Sequence, residues 1–254
     1  MGEGGGGYRA RLRTSRGCSC PRTRPRRTGG AGVSALGAAP LLGPATPGTG
    51  RPVRAGTEVT AVLATHLDDH DRAVDALRAE VPTLQRWGSD LAARLLRGQR
   101  LLALGNGGSA AEAQHLTAEI VGRFDGERRP FSALSLHAET SSVTAIANDY
   151  GYDDVYARQI TAHARPGDVV ILFSTSGRSA NLLRAVHAAR TVGAATWALT
   201  GPAPNPLCDA CDAYIALPGP AAGVQEAHLV ALHLLCRVFD DRVRAHDAQT
   251  GRAS

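Results

Sequence analysis

The chain has 254 residues, 43% of them hydrophobic, and a formal net charge of +5. That length and apolar share suffice for one large core or two small ones. All 28 basic residues are arginine, which excludes chemistry through a lysine Schiff base and with it lysine-dependent aldolases and pyridoxal enzymes.

The charge is unevenly placed. Residues 1–55 hold ten arginines against the single Glu3, a balance of +9, and the remainder holds 18 arginines against 22 acids, a balance of −4. The basic character therefore belongs to the N-terminal stretch, and the folded part is not expected to bind nucleic acid. That stretch is rich in Gly, Arg, Pro, Ser and Thr and has no hydrophobic period, so residues 1–55 are expected to be disordered. Arg26-Arg27 ahead of AGVSALGAAPLLG is similar to a twin-arginine export signal, but glycine and proline break the apolar part, and a cytoplasmic protein is expected. No run reaches the ~18 apolar residues of a membrane span. Five cysteines without a regular framework fit a reducing compartment. Cys208 and Cys211 have no second pair at zinc-ribbon spacing and read as packing or surface thiols.

From Thr57 the pattern turns helical: Val59, Val62, Leu63, Leu67, Val74 and Leu77 recur at three- and four-residue spacing up to Val81-Pro82. A second helix runs through Leu84, Trp87, Leu91, Leu95 and Leu96. Next comes RLLALGNGGSAAEAQHLTAEIVGR, residues 100–123, which reads as an apolar strand, a glycine turn and a helix with Ser109 as its N-cap. Such a helix start presents backbone N–H groups to an anion or to sugar hydroxyls. It matches neither GxGxxG nor the Walker pattern, which argues against dinucleotide and nucleoside-triphosphate sites of those types. Along the helix, His115 and Glu119 lie one turn apart on one face.

Strands and helices then alternate. The pattern predicts strands over residues 133–136, 168–173, 196–199 and 214–217, and helices over 141–148, 155–163, 180–191 and 225–243. This is the alternation of an α/β fold: an open, mostly parallel sheet with helices on both faces, behind two N-terminal helices. One domain over residues 56–247 is the economical account. The stretch DVVILFSTSGRS repeats the plan of strand, glycine turn and helix, and three serines and a threonine within six residues exceed what capping needs. Hydroxyls beside helix N–H groups are what a phosphate monoester requires where no lysine is present.

With GNGGSAAEAQH, IANDYG, STSGRS and QEAHLVALH in this order and spacing, the chain resembles the SIS (sugar isomerase) domain, specifically the phosphoheptose isomerases, over residues 57–243. The resemblance implies conversion of sedoheptulose 7-phosphate to D-glycero-D-manno-heptose 7-phosphate. It further implies that Asn106, Gly107, Gly108, Asn148 and Asp149 contact the sugar, and that Ser174, Thr175, Ser176 and Ser179 hold the phosphate. Glu119 and His233 become the acid/base pair, Gln225 completes the pocket, and zinc can be bound by His115, Glu119, Gln225 and His233. A homotetramer with active sites at subunit interfaces is implied as well. Independently, moving a carbonyl between C2 and C1 requires one proton removed and one returned, which a carboxylate and an imidazole can do. Two departures stand out: Ala222 where better-known members carry an acid, and Arg178 where they carry a small polar residue. The rival reading is a non-catalytic SIS regulator that binds the replication initiator DnaA or senses sugar phosphates. Those paralogues that bind DnaA lack the acid/base residues present here.

Overall fold

The computed structural model describes residues 55–251, and the stretch expected to be disordered lies outside them except for Ala55. Two helices, α1 (Ala55–Ala79) and α2 (Val81–Leu96), precede the sheet. Pro82 sits in the first turn of α2, where its missing N–H costs no helical hydrogen bond, so the proline opens this helix two residues before Leu84, its first buried apolar position. The alternating part follows as β1 (Leu101–Gly105), α3 (Gly108–Val121), β2 (Ala133–Ser135), α4 (Thr140–Tyr150), α5 (Val155–His163), β3 (Val169–Ser174), α6 (Ala180–Val192), β4 (Ala195–Thr200), α7 (Pro206–Ala210), β5 (Ala213–Ala216) and α8 (Ala221–Thr250).

The strands form one sheet in the order β2-β1-β3-β4-β5, and every neighbouring pair is parallel. Residues of β1 and β3 are buried throughout, because helices cover both faces; that is why these strands read as unbroken apolar runs. Successive side chains point to opposite faces. Leu101, Ala103, Val169, Ile171, Trp197 and Leu199 enter one core with α1, α2, α3 and α8, whereas Leu102, Leu104, Val170, Leu172 and Ala198 enter the other with α5 and α6. Trp87 of α2 stacks on Trp197 of β4 at 5.1 Å between ring centroids, which fastens the N-terminal helices to the sheet.

The chain leaves β1 toward β2 on one side and reaches β3 on the other, so the strand order reverses between β1 and β3. A crevice opens at the carboxyl ends of strands at such a switch point. Gly105 pairs in register with Phe173, so the turn after β1 and the turn after β3 leave the sheet side by side. Several predicted boundaries shift. The closing helix starts at Ala221 and continues to Thr250, α7 was not read from the pattern, and β2 ends at Ser135. Ser109 is not the N-cap of α3: Gly107 takes that position with φ +56°, and Ser109 is buried in the first turn.

Candidate active site

The helix α3 carries Gly108, Glu112, His115 and Glu119 on one face, and α8 crosses it bearing Ala222, Gln225 and His233. His115 Nε2 lies 3.1 Å from Glu119 Oε1 and 3.1 Å from His233 Nε2. One ligand atom from each of the three residues falls within 4.8 Å of the others, and all three side chains are half-buried. The His115 and His233 rings meet edge to face at 5.0 Å, and Phe124 covers the other side of His233 at 5.2 Å. Burial, chiefly, and then the neighbouring His115 hold the pKa of His233 below the ordinary imidazole value, with Glu119 opposing and Arg237 adding to the shift. His233 is therefore a neutral imidazole at pH 7, the state a base or a metal ligand requires.

Glu119 and His233, predicted as a pair from positions 114 residues apart, are thus brought to one place, together with His115. Gln225 lies further back along α8. With Gly108, Glu112, His115, Ala222 and Glu226 it lines a cavity of about 390 Å³ beside the cluster. A Cβ on Gly108 would stand 2.0 Å from Gln225 Nε2, so glycine is what lets the helix start and the amide approach each other.

The second loop is shaped differently. Ser174 ends β3, is buried, and accepts a hydrogen bond from the Gly177 N–H at 3.0 Å. Gly177 has φ +62°, and a Cβ there would stand 2.0 Å from Asn205 Oδ1. Ser179 is the N-cap of α6, yet its side chain makes no capping hydrogen bond, and the exposed Ser176 accepts one from the Arg178 N–H at 3.3 Å. Hydroxyls not spent on capping at a helix N-terminus are available to an anion. Arg178 is exposed at the same turn.

Asn106 joins the two loops. Its amide exchanges two 2.9 Å hydrogen bonds with the amide of Asn181 on α6, and it also accepts one from the Tyr152 hydroxyl at 3.1 Å. Asn148 and Asp149, at the exposed end of α4, hydrogen-bond each other at 2.8 Å. Pattern reading missed Asn181, Tyr152 and Asn205. The one available signal was a polar side chain on an otherwise apolar helix face, Asn181 beside Leu182 and Ala185. Among the described residues, no helix is long and apolar enough to cross a membrane.

This parallel sheet with two helix-opening loops at its switch point is the fold of the SIS domain, whose family model matches residues 67–201. A phosphoheptose isomerase from Streptomyces coelicolor is 60% identical over 176 residues, which span 69% of this chain and 76% of that one. Solved structures of phosphoheptose isomerases from Neisseria gonorrhoeae and Francisella tularensis are 34% and 28% identical, each with a TM-score of 0.66; the matches span 72% and 73% of this chain and 99% of theirs. The chain belongs to the phosphoheptose isomerase branch of the SIS family.

Proposed function

We infer that the chain is an aldose–ketose isomerase that interconverts sedoheptulose 7-phosphate and D-glycero-D-manno-heptose 7-phosphate. The observation that carries the chemistry is the convergence of Glu119 and His233 where α3 and α8 cross. In this reading the Glu119 carboxylate takes a proton from C1 of the ketose and returns it to C2, by way of an enediol. His233, neutral at rest, moves a proton between the two oxygens. The loop hydroxyls of Ser174, Thr175, Ser176 and Ser179 hold the phosphate. Asn106, Gly107, Gly108, Asn148, Asp149 and Gln225 orient the sugar.

Two imidazoles and a carboxylate are a donor set that suits zinc, so His115, Glu119 and His233 would hold that ion, with Gln225 as the fourth ligand that the resemblance implies. Bound there, zinc supplies Lewis-acid polarisation of a carbonyl. We assign residues 56–247 as the catalytic unit and a homotetramer as the working state. An apolar stripe on α1 supports the assembly: Val59, Val62, Leu63 and Leu67 are each 56–65% exposed, more than a monomer surface usually leaves in one row. Free thiols at Cys208, Cys211 and Cys236 support a reducing, cytoplasmic setting.

A regulator that binds DnaA is disfavoured, because it would have no use for a built acid/base pair. Incubation of the pure protein with sedoheptulose 7-phosphate, followed by NMR, is expected to show the aldose. No turnover together with tight DnaA binding would overturn the assignment.

A further inference from the structure

Glu119 and His233 sit on different helices, so their separation depends on what fastens the end of α3 to α8. The described contacts put one buried ion pair there. Arg128 and Asp240 side chains are each 1% exposed, and Arg128 Nε donates to Asp240 Oδ1 at 2.6 Å. The terminal guanidinium nitrogens reach the C-terminal end of α3. One nitrogen bonds the carbonyls of Ile120 at 3.0 Å and Gly122 at 3.3 Å as well as that of Arg129 at 2.9 Å, and the other bonds the backbone carbonyl of Glu119 itself. The last turn of α3 carries no basic residue of its own, so Arg128 supplies the cation that its carbonyls and dipole favour.

The other half of the pair is equally fixed. Asp240 Oδ2 accepts from the Asp125 N–H at 3.2 Å, and the guanidinium lies 5.7 Å and 5.3 Å from the ring centroids of Phe131 and Phe239. Asp240 follows His233 by seven residues, two helical turns along the same face of α8. The contacts therefore close a ring: Glu119 carbonyl to Arg128, Arg128 to Asp240, up α8 to His233, then through His115 to the Glu119 carboxylate. A buried ion pair is a poor source of stability, since apolar side chains of similar volume do as well or better. A planar guanidinium with fixed donor directions is, by contrast, a good spacer.

We propose that Arg128 and Asp240 are positioning residues that set the distance between Glu119 and His233; this rests on the acid/base reading of those two side chains. Arg128→Lys keeps the charge and loses the fork, and Asp240→Asn keeps the shape and loses the charge. Each is made in the full chain, alone and in a Glu119→Gln background, and assayed with sedoheptulose 7-phosphate well below its melting midpoint. Alone, each is expected to lower kcat roughly 10- to 100-fold with KM within about twofold, as loss of an outer partner or a shift of about an ångström does. In the Glu119→Gln background the further loss is expected to stay under about twofold, because the group being positioned is gone.

An unchanged kcat in the single variants would overturn the proposal. So would an equal fold-loss in both backgrounds, which marks a general weakening of the fold. If Glu119→Gln alone turns over normally, the acid/base reading fails and the positioning role fails with it, a result distinct from the other two. Should Asp240→Asn not fold, Asp240→Glu and Arg128→Lys carry the same comparison.

Discussion

The loop after β1 and the loop after β3 each follow a fully buried strand and each open a helix, yet the groups they deliver differ in kind. After β1 the loop itself is glycine and asparagine, and His115 and Glu119 lie two and three turns down α3, with His115 against His233 of α8. After β3 the hydroxyls are on the loop, at the N-terminus of α6, and two of the four are only partly covered. Under the proposed function, the difference follows from the task. Proton transfer needs two groups at a fixed spacing, which crossing helices provide. A phosphate needs several donors around one charge, which a turn provides. Substitutions in the first region are therefore expected to act on kcat and those in the second on KM.

The largest expected effects test the first half. Glu119→Gln and His233→Asn should each lower kcat by about 10² to 10⁴ with little change in KM, the usual worth of a positioned acid or base. The double variant should lose less than the product of the two, because both serve one transfer sequence. Steady-state kinetics on all three decides it. If instead KM rises at constant kcat, the α3–α8 crossing is a binding region and the contrast collapses.

Gly177→Ala comes next. It forces alanine to φ +62° and drives a methyl group against Asn205, so about 1–3 kcal/mol of strain falls on the loop after β3. KM should rise by roughly tenfold or more and Tm should fall, with kcat held for whatever complex forms. Ser176→Ala is gentler. Losing one hydrogen bond to a charged group, about 1.5 kcal/mol at an exposed position, should raise KM about tenfold and leave kcat and Tm in place. A fall in kcat at constant KM in either variant would show that the second loop does more than hold the phosphate.

The smallest effect is on pH dependence. The pKa of His233 is depressed in the folded chain, so the unfolded chain binds more protons as pH falls through the ordinary imidazole range. The stability this group contributes is present above its unfolded pKa and is lost as pH drops through its folded one. Tm of the metal-free protein should thus fall between pH 7 and 5, and His233→Asn should flatten that slope in part, since His137 is depressed in the same direction by burial. An identical slope in the variant would mean that His233 is not desolvated as described.

Much of this was legible in the chain. Apolar runs marked β1 and β3 because both faces of those strands are buried, and the glycine and serine clusters marked the turns because their backbone and hydroxyl chemistry is local. His115 and Glu119 could be paired because one helix fixes their spacing. His233 joined them through the resemblance, since no local rule places residue 233 beside residue 115. What stayed hidden depends on distant partners. The Asn106–Asn181 amide pair spans 75 residues and the Arg128–Asp240 pair spans 112, and neither leaves a periodic trace. Ser109 misled because a serine beside glycines looks like a cap, whereas the left-handed turn put glycine at that position and buried the serine.

The central claim is that the α3–α8 crossing moves a proton. The direct measurement is proton NMR of sedoheptulose 7-phosphate in D₂O with the wild type and with Glu119→Gln. The wild type should form the aldose and introduce solvent deuterium at its C2, the carbon that receives the returned proton, and Glu119→Gln should do both at least about a hundredfold more slowly. Aldose formation at equal rates by the two proteins would contradict the account.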